Sequence, residues 1–229
     1  MAISTDPIAI SRRSREKGQQ QKAILDAARE LFAEAGETAV TLRAVAERIG
    51  YSTTVIYQHF SDKQSLIQAL CDHDFLQMAK DFASLADIAH PGQRLHALGL
   101  GYVSFALQHP NAFRFLFLTD RAALPPENSA IPKGNIALDT YALLKHTIAE
   151  CIQQGLLRSE LKDVEQMSQL CWANVHGIAC MHLYSSVHQL WVDWRPAMEN
   201  AEKSLEIFER GISRDGKPFS RAVKNRKGK

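Results

Sequence analysis

Between Thr53 and His59 the chain carries hydroxyls, a phenol, an amide and an imidazole with no lysine, arginine or carboxylate among them: Thr53, Thr54, Tyr57, Gln58 and His59. Groups of this kind hydrogen-bond to base edges and phosphate oxygens, so a short helix exposing them can read a nucleic-acid duplex. The flanking residues set up that exposure. The Thr41 hydroxyl can accept an orphan amide of a first helical turn, and Leu42, Val45, Ala46 and Ile49 then recur at helical spacing. Gly50 follows, where a reversal needs positive φ. Ser52 or Thr53 can cap a second helix whose buried side holds Val55, Ile56 and Phe60. Two short helices joined by a Gly-containing turn form a helix-turn-helix, with the second helix in the major groove. Arg43, on the first helix, points to the same surface. Lys63 opens the next helix, where a helix N-terminus and a cation suit an anion.

The pattern Thr41-x-Arg43, Ala46, Gly50, Ser52, Thr54, Tyr57, His59-Phe60 and Lys63-x-x-Leu66 resembles the DNA-binding domain of TetR-family regulators over about the first third of the chain. That resemblance implies DNA contacts from Thr41, Arg43, Ser52, Thr53, Thr54, Tyr57, Gln58, His59 and Lys63. It also implies a long effector domain that pairs with its twin. Trp172-Ala173-Asn174-Val175-His176-Gly177 is similar to the Trp-x-x-x-His-Gly signature of one C-terminal subgroup, in which it lies on the penultimate long helix. The spacing puts Trp172 and His176 one turn apart, and Gly177 would permit close helix approach.

Other chemistry is weakly signalled. His176 and Cys180 are four apart, as two metal ligands on a helix would be, and His73 sits between Asp72 and Asp74. No third ligand stands at a diagnostic spacing, so packing is the preferred reading and no metal or cofactor is expected. There is no nucleophile elbow of the GxSxG type and no Gly-rich phosphate loop, so enzymatic activity is not expected. Cys71, Cys151, Cys171 and Cys180 show no CxxC spacing and read as buried free thiols.

A length of 229 residues with 45% hydrophobic content supports a substantial core. No apolar run reaches the roughly 18 residues that span a bilayer. The N-terminal basic residues follow the apolar ones, the reverse of a secretory signal, so no membrane association and a cytoplasmic location are expected. Charge is uneven: ten basic against sixteen acidic residues over 64–209, a balance of −6, and eight against one over 210–229, a balance of +7.

The expected fold is all-α with about nine helices: a flexible basic arm (1–17), a helix-turn-helix domain (18–63), an effector-binding and dimerisation domain (64–213) and a basic tail (214–229). Arg12, Arg13 and Arg15 of the arm are candidate minor-groove contacts. Gly18 to Ala35 reads as an amphipathic helix ending at Gly36, and Lys63 to about Leu85 as a long one. Further helices are expected from Pro91 to about Gln108, from Asn111 to Thr119, from about Asn135 to Gln154, from Val164 to Val187 and from Pro196 to Gly211. Residues 120–134, rich in Pro and Gly, read as a loop and the most mobile segment.

Together these features predict a dimeric regulator on a near-palindromic DNA operator, a repressor released by a small apolar or aromatic molecule. The resembled family places its ligand inside the effector bundle. Here Phe75, Met78, Phe82, Tyr102, Phe105, Phe113, Phe117, Tyr141, Trp172 and His176 can line that region, with Tyr102 and His176 as polar handles. Dimerisation is expected through the last two long helices, by Met167, Leu170, Val175, Ile178, Met181, Leu205 and Phe208. Two alternatives stay open: a DNA-binding regulator controlled by a protein partner, and an enzyme built on a helical bundle.

Overall fold

The structure, a computed structural model, describes residues 7–119, 126–188 and 192–221. Among them stand nine α-helices and no strand: α1 (Pro7–Ala35), α2 (Leu42–Ile49), α3 (Thr53–Tyr57), α4 (Lys63–Ala86), α5 (Pro91–Gln108), α6 (Pro110–Phe117), α7 (Thr140–Gln153), α8 (Val164–His188) and α9 (Ala197–Ile212). The chain divides into two compact units. The first runs to Asp74 and adds the segment from Arg114 to Ala130; the second holds Phe75–Phe113 and the residues from Ile131 onward.

Helix α1 begins eleven residues before the expected Gly18, so residues 7–17 are helical and not an irregular arm. Pro7 fits a first turn, where no amide is needed, and the Arg, Glu and Lys residues that follow are good helix formers. The side chains of Arg12 and Arg13 lie outside the described residues. Helix α3 is shorter than expected and ends at Tyr57, yet Ile56 and Phe60 are both buried, as their spacing requires. Helix α7 starts at Thr140, five residues after Asn135, because Asp139 caps it by accepting the amides of Tyr141 and Ala142 at 3.1 and 3.0 Å.

The core of the first unit comes from Ile24, Ala27 and Ala28 of α1, Leu42, Val45 and Ala46 of α2, and Leu66, Ile67 and Leu70 of α4. Phe32 meets Phe115 edge to face at 4.9 Å.

In the second unit α5 packs against α7, α8 and α9. Two glycines allow this. A Cβ on Gly99 would lie 2.8 Å from the Leu205 side chain, and one on Gly101 2.9 Å from that of Leu85. At Gly177, by contrast, a Cβ would meet nothing within 4 Å, so among the described residues this glycine serves no close approach. The expected tail boundary also moves. Phe219 is buried on the α5 side, its ring 2.8 Å from where a Gly92 Cβ would stand, so residues 214–219 are not a free tail. Residues 222–229 of the basic tail lie outside the described residues. Cys71, Cys151 and Cys171 are buried free thiols as expected, and Cys180 is half-buried.

The Phe219 anchor has a titratable partner. The Glu209 carboxylate, almost wholly buried, accepts the Phe219 amide through Oε2 at 2.8 Å and faces His96 Nδ1 through Oε1 at 2.8 Å. Glu209 raises the His96 pKa against the opposing effect of burial. A raised histidine pKa stabilises the fold fully below its unfolded value of about 6.5, and the contribution fades as pH rises through the folded value. His96→Gln keeps a donor toward Glu209 but cannot ionise. Its loss of unfolding free energy relative to wild type should therefore be largest below about pH 6.5 and shrink above it. Chemical denaturation across pH 5.5–9 checks this, and a pH-independent difference would reject the role.

Candidate functional site

The reading motif is assembled in the first unit by caps and long-range ion pairs. Thr41 caps α2, its Oγ1 accepting the Ala44 amide at 3.0 Å, and Gly50 closes that helix in the left-handed region with φ 68°. Ser52 occupies the N-cap position of α3 without a side-chain capping bond, which leaves its hydroxyl outside the helix network. Arg48 grips Glu34 of α1 with both guanidinium arms at 2.8 and 2.5 Å, a bidentate pair that fixes α2 on α1. Arg29 of α1 meets the buried Asp74, midway along α4, at 2.5 Å and so ties that helix to α1 as well.

On this frame Thr41, Arg43, Ser52, Thr53, Thr54, Tyr57 and Gln58 are all exposed. Thr53 and Tyr57 are one helical turn apart, as are Thr54 and Gln58, so each pair shares a side of α3. Tyr57 is 59% exposed, which removes a core role for it. Among the described residues Arg43 pairs only with its exposed neighbour Glu47, at 2.8 Å. Surface pairs of this kind cost little to break, so the guanidinium can turn to a stronger anion.

Two expected contacts are engaged otherwise. His59 is half-buried with Nε2 3.2 Å from Gln20 Oε1, and burial, helped by nearby Lys17, lowers its pKa. It is therefore a neutral group at physiological pH. The half-buried Lys63 donates from Nζ to the Glu37 carbonyl at 2.8 Å and ties the first turn of α4 to the segment after α1. Asp62 caps α4 by accepting the Ser65 amide at 2.7 Å. Gln20, Arg29 and Arg48 were not singled out from sequence because their partners lie 39, 45 and 14 residues away.

The second unit brings several expected ligand residues together. Trp172 Nε1, which can only donate, reaches the Tyr102 hydroxyl oxygen at 3.0 Å. Tyr102 lies 2.8 Å from His176 Nδ1, and His176 Nε2 lies 3.3 Å from Cys180 Sγ. Burial lowers the His176 pKa and raises that of Tyr102, so both groups are neutral. The Tyr102 hydroxyl thus accepts from Trp172 and forms a second hydrogen bond with the imidazole, whose other nitrogen faces the Cys180 thiol. Phe113 stacks at 5.6 Å from both the Tyr102 and His176 rings, and Tyr141 is 6.0 Å from Trp172. The Tyr141 hydroxyl donates to Glu165 at 2.7 Å; burial first, then that carboxylate, pushes its pKa up to about 12.

Trp172 is 36% exposed and so stands at the mouth of this cluster and not inside it. Met78, Phe82 and Phe105 are buried in the same unit and Phe75 is half-buried, whereas Phe117 belongs to the first unit and is not part of this group. Among the described residues no group of three or more His, Cys, Asp or Glu could hold a metal ion, and no helix is long and apolar enough to cross a membrane.

Residues 24–70 match the family model described as bacterial regulatory proteins, tetR family, and residues 95–201 match one described as tetracyclin repressor-like, C-terminal domain. The HTH-type transcriptional regulator TtgR of Pseudomonas putida is 38% identical over 178 residues, covering 73% of this chain and 82% of that one. The chain belongs to the TetR family. It is a DNA-binding transcriptional regulator, and the relatives named with it are regulators, not enzymes.

The match to the HTH-type transcriptional repressor AcnR of Corynebacterium diphtheriae is confined to 65 residues at 40% identity, 28% of this chain and 34% of that one. The structure of Bacillus subtilis FadR in complex with stearoyl-CoA superposes with a TM-score of 0.65 at 19% identity, over 83% of this chain and 98% of that one. The fold of this TetR-family regulator is thus shared well beyond its sequence relatives. The matched C-terminal description names no Trp-x-x-x-His-Gly subgroup.

For a hydroxyl that reads a base, Thr53→Ala should weaken binding to a cognate site by roughly 1–3 kcal/mol and relax sequence preference. Arg43→Ala should act in the same direction. Fluorescence anisotropy on cognate and random duplexes distinguishes this from a phosphate contact, whose loss would weaken both equally. Lys63→Ala removes an intramolecular hydrogen bond, so its first effect should be a loss of stability of about 1 kcal/mol. Denaturant unfolding without DNA measures that loss.

Proposed function

We propose that this protein is a homodimeric repressor that binds a near-palindromic operator through α3 and is released by a small, neutral, apolar or aromatic molecule held at the Tyr102–Trp172–His176 cluster. The observation that carries the ligand half is the continuous run of hydrogen bonds from Trp172 through Tyr102 to His176, walled by Phe113 and Tyr141. An apolar lining with a few polar tips is the usual make-up of a small-molecule site. Tyr102, Trp172 and His176 are themselves uncharged, which favours a neutral ligand. The stearoyl-CoA bound by FadR supports a small-molecule effector on this fold. The ligand acts by its unequal affinity for two conformations, only one of which matches the half-site spacing.

The DNA half rests on the exposed Arg43, Thr53, Thr54, Tyr57 and Gln58. Thr41 and Ser52 flank them, and His59 and Lys63 serve chiefly as supports.

Dimerisation is proposed through α8 and α9, with a different set of residues from the one expected by sequence. Met167, Val175 and Leu205 are buried within the protomer and are left out of the proposed interface. Leu170, Met181, Tyr184 and Ile207 are 48%, 58%, 61% and 63% exposed, a solvent-facing apolar set that one chain leaves unburied. Between the helices runs a groove of about 440 Å³ lined by Ile178, Met181, Ile207 and Phe208. On its wall the Asn174 amide nitrogen is buried without a hydrogen-bond partner among the described residues. The open face of Gly177 suits the approach of a second helix.

Light scattering at micromolar concentration should give twice the mass of one chain, and Met181→Glu with Ile207→Glu should give a monomer that loses operator binding. A monomeric wild type would reject the dimer. The effector is tested by displacement of the protein from DNA recovered with it. Apolar aromatic compounds should release wild type, and Tyr102→Phe should shift the required concentration at least several-fold. Release that is insensitive to Tyr102→Phe and to Trp172→Ala would place the ligand elsewhere.

A further inference from the structure

A second recess lies apart from the aromatic cluster, where the connection between α7 and α8 meets the end of α9. It is a cleft of about 310 Å³. Backbone pairing builds it: Arg158 donates its amide to the Ile212 carbonyl at 3.0 Å, and Arg214 donates to the Leu156 carbonyl at 2.8 Å. These bonds close an antiparallel bridge between Leu157 and Ser213. Leu157 and Ser213 are buried at this bridge, while Arg158 and Arg214 are exposed and line the cleft. Lys162 adds a third cation to the lining. Gly155, with φ 65°, leaves room for the Arg214 guanidinium, which lies 3.4 Å from where a Cβ would stand.

Three cations therefore line one small recess, and none of them forms an ion pair among the described residues. The neighbouring carboxylates do not line the cleft and have other engagements. Asp163 caps α8 by accepting the Gln166 amide at 3.0 Å, Asp215 accepts the Lys217 amide at 3.0 Å, and Glu160 lies 3.4 Å from the Ser159 hydroxyl. An anion bound between the three would supply the opposite charge that the lining lacks. The floor is of a different character. Ile152, Leu157 and Leu161 line it, and Leu157 belongs to the core cluster with Ile148, Met167 and Ile212.

We propose that this cleft binds a small organic anion. A phosphate or carboxylate is held by Arg158, Lys162 and Arg214, and a short apolar group rests on Ile152, Leu157 and Leu161. Arginine suits both anions because its planar fork meets two oxygens at once. A ligand here bridges the end of α7, the approach to α8 and the end of α9, so its binding bears on the same helices that form the proposed dimer face. The site is chemically distinct from the uncharged Tyr102–Trp172–His176 cluster and does not depend on the effector reading.

Isothermal titration calorimetry on the full chain tests it with four probes: hexyl phosphate, hexanoate, hexanol and inorganic phosphate. At least one of the two amphipathic anions should bind saturably, with hexanol weaker by about ten-fold or more, the worth of a charge-assisted contact. The stronger of the two identifies the anionic group. Arg158→Ala combined with Arg214→Ala should weaken that binding at least about ten-fold while circular dichroism stays native. If the double variant does not fold, Lys162→Ala, at an exposed position, is read instead and should weaken binding several-fold. Absence of saturable binding for both anions, equal binding of hexanol, or unchanged affinity in the folded variants would overturn the site. Inorganic phosphate binding as tightly as hexyl phosphate would overturn the apolar half of the proposal.

Discussion

A polar side chain carried into a helical core must find a partner there, and α5 carries three of them. Arg94 donates to the Thr147 hydroxyl at 3.1 Å and the Ile88 carbonyl at 3.0 Å, and pairs with Glu150. His96 faces Glu209, and Tyr102 is joined to Trp172 and His176. Each of the three is less than a tenth exposed, so losing its partner would leave a buried polar group unsatisfied. The partners come from α7, α9 and α8 respectively. One helix thus fixes the position of three others, and the two glycines in its middle let neighbouring side chains come close.

The same requirement shapes the proposed effector site. Tyr102 and His176 are handles only because their tips already hydrogen-bond to each other inside an apolar wall. A ligand with one donor or acceptor can enter the chain by replacing a single link, while a charged ligand would need a counter-charge that the cluster lacks. The three cations of the second cleft sit at the far end of α7, in a more open setting where an anion keeps part of its hydration.

In the first unit the exposed residues proposed to read DNA contribute little to stability. The motif is held instead by the apolar core beneath it and by the ion pairs of Arg29 and Arg48. This division of labour leaves Thr53, Thr54, Tyr57 and Gln58 free to be chosen for DNA chemistry. His59 and Lys63, by contrast, are both half-buried and hydrogen-bonded within the protein.

Local periodicity, caps and breakers in the sequence by themselves determined the helical class, the helix-turn-helix with its Thr41 cap and Gly50 turn, and most helix positions. These signals act over a few residues, so they are written wherever the chain is read. The start of α1 escaped this reading because polar, helix-competent residues show no apolar stripe, and the start of α7 because Asp139 overrides the residues before it. Tertiary structure alone decided which apolar residues of α8 and α9 are core and which face outward, since Met167 and Leu170 are indistinguishable by composition. It alone drew Phe219 into the core, joined Tyr102 to residues 70 and 74 positions away, and brought Arg158 and Arg214 to one cleft. Contacts between distant segments depend on how the helices pack in three dimensions, and no local pattern in a single sequence records that packing.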